Sequence, residues 1–269
     1  MNVLILECPR DEKDVLIAEL NERGTRGIIE QELPGGGVRL QAFFEESLPP
    51  GNFAPYNPRW EPADETNWAR VVMDSWEPVE AGERFFIVPD WRDDPTPPGR
   101  LRLEVHPGVA LGTGYHATTQ MCLEAMEHHL RPADTFFDLG TGSGILSQAA
   151  WLLGPRRIIA CDTDPQATES AAANLRRANV PVLLFTGSAP SLADEAADFL
   201  AANLSAPVLL NLAGEIRRCL APGGRSVLSG FSPDESARLR HGFESAGFGL
   251  IDRDARDDWA CLLMRKTAR

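Results

Sequence analysis

The sequence predicts an α/β protein: a mainly parallel sheet covered by helices, preceded by a small α+β domain. Three observations carry this. From Thr135 onward, apolar strand-like runs alternate with segments of helical spacing, which demands parallel strands with helices on both faces. The stretch Asp138-Leu139-Gly140-Thr141-Gly142-Ser143-Gly144-Ile145 joins one such run, ending in Phe136 and Phe137, to a helical one through glycines. The first 45 residues follow a β-α-β-β order instead.

Taken in order, residues 2–6 read as a short strand. Asp11 to Arg23 reads as a helix, with Val15, Leu16, Glu19 and Leu20 at helical spacing and Gly24 as its stop. Gly27 to Leu33 and Val38 to Glu45 read as strands joined by the turn Pro34-Gly35-Gly36-Gly37. This order is ferredoxin-like, with the second helix of that arrangement weak. The α+β domain is assigned to residues 1–48. Pro49 to Pro62, rich in Pro and Asn, reads as a linker. Asp64 to Trp76 reads as a helix, Asp93 to Gly99 as a proline-rich turn and Leu101 to Val105 as a strand, so 49–104 forms a linker and connecting segment.

The main domain is assigned to 105–269. Its first helix is Thr118 to Leu130. Strands follow at Thr135 to Leu139, Arg157 to Cys161, Val182 to Phe185, Asp198 to Ala202, Arg225 to Phe231, Leu250 to Arg253 and Trp259 to Met264. Helices fill the gaps at Ile145 to Leu153, Pro165 to Ala178, Pro207 to Leu220 and Asp234 to Ala246. The last two strands have no helix between them.

With 269 residues, 43% of them hydrophobic, the chain can bury one full α/β core and a smaller one. No apolar run reaches membrane-spanning length, and Met1 to Glu7 carries no basic region, so neither a membrane span nor a signal peptide is expected. The five cysteines are scattered without a Cys-x-x-Cys pair, which indicates neither a zinc site nor a disulfide framework; reduced thiols and a cytoplasmic location are the expectation. The net charge of −13 is uneven: residues 1–104 hold 21 acidic and 11 basic side chains, the rest 18 and 15. An acidic front third argues against direct nucleic-acid binding and is compatible with a basic protein partner. As a plain alternative, acidic surfaces aid solubility.

The glycine stretch is the chemical centre. A strand, a tight Gly-rich turn and a helix start offer close backbone approach, free N–H groups and the positive end of a dipole. The next strand ends in Asp162, 22 residues after Gly140, a distance that suits a ribose diol. Both a dinucleotide fingerprint and a nucleoside-sulfonium site fit. The Asp-x-Gly-x-Gly-x-Gly spacing, the position in mid-chain and a second loop upstream, Leu111-Gly112-Thr113-Gly114-Tyr115-His116-Ala117-Thr118-Thr119, favour the sulfonium. Asp164 competes for the ribose, but Asp before Pro165 is a common helix start, so we read it as a cap.

The two loops together resemble those of class I methyltransferases that use S-adenosylmethionine, and most closely the PrmA family, which modifies ribosomal large-subunit protein eleven. Asn67-Trp68 and the run Gly82 to Trp91 resemble that family's connecting segment, and Asn203-Leu204-Ser205-Ala206 its substrate loop after the fourth strand. The resemblance implies a Rossmann-like, seven-stranded class I methyltransferase domain whose last strand runs antiparallel, with an N-terminal domain that recognises the substrate protein. It departs from the family at Leu111, where Phe is usual, and at Ala117, where Pro is usual.

Carried over residue by residue, the resemblance implies that Leu111, Gly112, Thr113, Gly114, His116, Thr118, Thr119, Asp138, Gly140, Gly142, Asp162 and Asn203 bind the cofactor. Asp138 orders the glycine loop and meets the cofactor's ammonium directly or through water. His116 either bonds the cofactor carboxylate or holds the loop. Asn203 and Leu204 are the catalytic pair. A free lysine amine, with a pKa near ~10.4, must first lose a proton. The Asn203 oxygen and the Leu204 carbonyl can then accept its remaining hydrogens and aim its lone pair. His128 and His129 read as favouring a helix's negative end, and Trp68, Trp76 and Trp91 as packing.

The implied function is a cytoplasmic, monomeric protein-lysine N-methyltransferase, acting also on an α-amino group. The alternatives are a related enzyme acting on another protein or a small amine, and a non-catalytic cofactor-binding factor. No metal site is expected.

Overall fold

The structure is a computed structural model that describes residues 2–10, 12–25, 27–33, 36–45, 51–62, 76–105 and 114–268. The expected helix from Asp64, with Asn67 and Trp68, and the loop residues Leu111, Gly112 and Thr113 lie outside them. The chain divides into two compact units, Met1–Trp76 and Glu77–Arg269.

In the first unit, β1 (Asn2–Pro9), α1 (Lys13–Glu22), β2 (Gly27–Glu32), β3 (Gly37–Phe44) and β4 (Arg59–Pro62) form a sheet of order β2-β3-β1-β4. β3 is antiparallel to β1 and β2, and β4 is antiparallel to β1, which is the ferredoxin-like arrangement. Leu16 and Leu20, four apart on α1, bury against Leu4, Leu6, Leu40 and Phe44. A 3-10 segment, Gly51–Tyr56, stands where the second helix belongs; Pro55 lies inside it, and Pro opposes regular helix. The stretch expected to link the domains therefore supplies the fourth strand. Only Trp60 of β4 turns inward, edge-on to Phe44 at 5.7 Å, so an edge strand of this kind leaves no apolar alternation in the sequence.

The second unit begins earlier than the expected 105. β5 (Val79–Ala81), β6 (Phe85–Pro89) and β7 (Leu101–Val105) form a three-stranded sheet, with β6 parallel to β7. Phe85, Ile87, Leu103 and Val105 join the same core as Phe136, Ile158 and Phe199. The connecting segment is thus part of the second unit. Its hairpin turn is fastened to α2 (Ala117–His129): the Glu127 carboxylate accepts Glu83 N–H at 2.9 Å and Arg84 N–H at 3.0 Å.

The main sheet comprises β8 (Thr135–Leu139), β9 (Arg157–Asp162), β10 (Leu183–Thr186), β11 (Ala197–Asn203), β12 (Leu220–Phe231), β13 (Phe248–Arg256) and β14 (Trp259–Lys266). Its order is β10-β9-β8-β11-β12-β14-β13, with β14 antiparallel to both neighbours and the β10 to β12 pairs parallel. Every residue of β8 is buried, as a central strand covered on both faces requires. α2, α3 (Ile145–Leu153) and α4 (Pro165–Arg177) supply core residues on one face, α5 (Ala206–Cys219) and α6 (Pro233–Ser245) on the other. Helices and strands fall within a few residues of expectation; β12 starts earlier, at Leu220. Among the described residues no helix is long and apolar enough to cross a membrane.

Candidate active site

The carboxyl ends of β8, β9 and β11 converge, and the predicted residues sit there. Asp138, 1% exposed, closes the glycine turn. Its Oδ2 accepts the Thr141 hydroxyl at 2.8 Å, the Ser147 hydroxyl at 2.7 Å and the Ser147 N–H at 3.1 Å. Its Oδ1 is buried with no hydrogen-bond partner among the described residues. Burial pushes the carboxyl up to about 6, against the pull of the Ser147 and Thr141 hydrogen bonds. Ser147 escaped the sequence reading. Its signal was its place in the first turn of α3, within reach of the preceding strand end.

The turn is also tied to β9. Gly140 and Thr141 N–H groups both donate to the Cys161 carbonyl at 2.9 Å, and Gly142 N–H donates to Asp162 Oδ2 at 3.0 Å. Asp162 Oδ1 accepts Asp164 N–H at 3.0 Å. Each carboxylate oxygen keeps a second acceptor position. Asp164 is the N-cap of α4, accepting Gln166 N–H at 2.9 Å, as the Asp-Pro pair predicts. Gly140 is held at φ +78°, and a Cβ there would lie 2.6 Å from Leu204 Cδ2, so the turn packs directly beneath the loop that follows β11.

That loop is anchored from two sides. Asn203 Nδ2 donates to Thr118 Oγ1 at 3.1 Å and Thr119 Oγ1 at 3.4 Å, both on the first turn of α2. His116 caps that helix: Thr118 N–H reaches His116 Nδ1 at 3.4 Å, and the Thr118 hydroxyl lies 2.8 Å from the same nitrogen. The imidazole packs edge-on to Trp259, ring centres 4.8 Å apart. Leu204 N–H donates to the Ser229 carbonyl at 2.8 Å. Gly230, at φ +94°, permits this closeness; a Cβ would come within 2.8 Å of Leu204 N and O and 2.9 Å of Asn203 Oδ1. Nothing in a linear reading flagged Gly230, since its neighbour is 26 positions away.

His116, Thr118, Thr119, Asn203 and Leu204 therefore form one cluster, and Asp138, Gly140, Gly142 and Asp162 another, joined where Leu204 covers Gly140. Gly114, at φ +83°, leads toward the first cluster, with a Cβ position 2.7 Å from Ile145 Cδ1. A ligand with an ammonium and a ribose fits the second cluster. Asp138 Oδ1 is a buried acceptor lacking a donor among the described residues, and Asp162 retains acceptor positions for hydroxyls. Among the described residues no group of three or more His, Cys, Asp or Glu could hold a metal ion.

Comparison with known proteins identifies the family. A family model described as ribosomal protein L11 methyltransferase (PrmA) matches residues 44–267. A ribosomal protein L11 methyltransferase of Desulfosudis oleivorans is 36% identical over 258 residues, covering 92% of this chain and 85% of its own. One from Geobacillus kaustophilus is 39% identical over 207 residues, 76% of this chain; the match spans 66% of that relative's length. The solved ribosomal protein L11 methylase of Lactobacillus delbrueckii subsp. bulgaricus superposes with a TM-score of 0.67 at 25% identity, covering 72% of this chain and all of its own. A methyltransferase from Pyrococcus furiosus, 18% identical with a TM-score of 0.51 over 62% of this chain and 90% of its own, shares the class I fold. This chain belongs to the ribosomal protein L11 methyltransferase family.

Proposed function

Proceeding from that membership, we propose that the chain transfers methyl groups from S-adenosylmethionine to amines of ribosomal protein L11, on lysine side chains and on an α-amino group. The observation that carries the reading is the tether on Asn203. With Nδ2 committed to Thr118 and Thr119, the amide oxygen is turned away from both hydroxyls and is free to accept from an incoming amine.

Asp138, Gly140, Gly142 and Asp162, with the segment from Leu111 to Thr119, would hold the cofactor, which when bound supplies an electrophilic methyl on a sulfonium. The rest is done by the chain. Asn203 Oδ1 and the Leu204 carbonyl are two acceptors for the hydrogens of a neutral amine, and together they fix the direction of its lone pair. Leu204 lies against Gly140, so the amine acceptors and the cofactor turn are held at one distance. Most of the acceleration is positioning.

The test is incubation of the protein with labelled S-adenosylmethionine and total ribosomal protein, then identification of the labelled band. Label on L11 lysines and its N-terminus is expected. Label on a different protein, or on small amines alone, would replace the substrate assignment; cofactor binding with no transfer would leave only a binding factor.

A further inference from the structure

The second unit carries a groove of about 460 Å³ between α2 and the β13–β14 edge, separate from the two clusters above. Its floor is apolar, formed by Met121, Ala125 and Leu263. Its walls hold five carboxylates, Glu83, Glu124, Glu127, Asp252 and Asp254, against the guanidinium of Arg253 and the imidazoles of His128 and His129. Three of the five are already occupied. Arg256 pairs with Glu124 and, at 3.1 Å, with Asp254; Glu127 is turned to the backbone N–H groups of Glu83 and Arg84. Two have no ion pair with a described residue: the Glu83 carboxylate has no hydrogen bond among them either, and the Asp252 carboxylate accepts Arg253 N–H at 2.8 Å and lies within electrostatic reach of His129.

We infer that this groove receives a lysine or arginine side chain of the protein substrate while another amine of the same substrate lies at Asn203. The inference rests on the function proposed above and adds a docking site to it. An apolar floor beneath unpaired carboxylates matches a methylene stem with a cation at its tip. A neutral or acidic occupant would leave Glu83 and Asp252 unpaired, and the chain's charge of −13 favours a basic partner at long range.

The sheet register sets the distance. Asn203 pairs with Ser229, Ser229 with Cys261 and Cys261 with Asp254, so groove wall and amine site lie on one row across three strand spacings. At ~4.8 Å each these give about 14 Å, roughly the span of four extended residues. One small basic protein can therefore occupy both.

The test is steady-state methyl transfer to L11 and to a short peptide bearing one lysine. The double variant Glu83→Lys with Asp252→Lys reverses the two unpaired charges. Ala125→Phe fills the floor without changing charge, and its thermal unfolding is checked against wild type. Both variants should raise the KM for L11 about tenfold or more, with kcat, cofactor affinity and KM for the peptide unchanged. Salt should raise the wild-type KM and erase the effect of the charge reversal. An unchanged KM in the double variant overturns the docking site. So does an effect of the double variant with none from Ala125→Phe, which would mean long-range steering only. A wild-type protein that fails to methylate L11 at all removes the substrate reading itself, and that is seen before any variant is made.

Discussion

Asp138 fastens the glycine turn through one oxygen and leaves the other buried, without a hydrogen-bond partner among the described residues. Its carboxyl stands at about 6 in the fold against an ordinary 3.8, so the folded state favours the proton. A raised folded value contributes stability that is fully present below the unfolded value and lost as pH rises through the folded one. Cofactor-free protein should therefore lose on the order of 2–3 kcal/mol from this group between pH about 4 and 6. Thermal unfolding of wild type and Asp138→Asn across that range checks it; parallel curves would show that the carboxyl does not titrate there. Asp162 makes a different demand, since each of its oxygens accepts one N–H and keeps a position for a ligand's hydroxyl. Asp162→Ala should weaken cofactor binding by on the order of 1.5–3 kcal/mol, read by calorimetric titration. Unchanged affinity would withdraw the ribose assignment. Asn203→Ala should cost about a hundredfold in turnover while cofactor affinity moves little, because in the proposed role the side chain aims the amine and does not grip the sulfonium. Thr118→Val should share that defect by releasing the amide, and Thr118→Ser should restore it. Normal turnover in a well-folded Asn203→Ala protein reduces Asn203 to a turn residue.

Elements show how far a linear reading reaches. The glycine turn, α3 and the cap at Asp164 were legible because each is local: a strand end, three glycines and a helix start within eight residues. β5 and β6 were not recognised, because each is short and the hairpin gains its stability from Glu124 and Glu127, more than 40 positions away on α2. Gly230 was invisible for the same reason. Its positive φ and its contact with Leu204 are properties of β12 beside β11, not of any motif. Gly230→Ala should cost about 1–2 kcal/mol in backbone strain alone. Pressing a methyl against Leu204 N and O should also displace the amine acceptors and lower turnover at least tenfold. Steady-state rates with cofactor affinity measured in parallel decide it; an unaffected rate would mean that the loop tolerates the shift. The buried pair Arg225–Asp134, at 2.8 Å, ties β12 to the turn before β8, and Arg225 also donates to the His129 carbonyl at the end of α2. Asp134→Ala leaves that buried guanidinium its bond to the His129 carbonyl but removes the carboxylate paired with it.

At the scale of the whole molecule the two units keep separate cores. Among the described residues the N-terminal core runs from Leu4 to Trp60, and both cores of the second unit use residues from Val79 onward. A boundary placed by composition at 48 and again at 104 missed this, because Pro and Asn mark exposed backbone, and an edge strand is as exposed as a linker. The division at Trp76 and Glu77 makes a sharper experiment possible. A chain beginning at Glu77 retains β5 to β7, the hairpin held by Glu127, all of the glycine turn and the Asn203 tether. It should fold, bind S-adenosylmethionine as the full chain does and methylate a short lysine peptide at a comparable rate. Its activity on L11 should fall sharply if the first unit selects the substrate protein. Part of the L11 preference should survive, because the groove walled by Glu83 and Asp252 remains. Adding those two charge reversals to the shortened chain should then remove the remaining preference for L11 over the peptide. Full-rate methylation of L11 by the shortened chain would deny the first unit a recognition role, and a preference already absent before the charge reversals would assign all of it to the first unit.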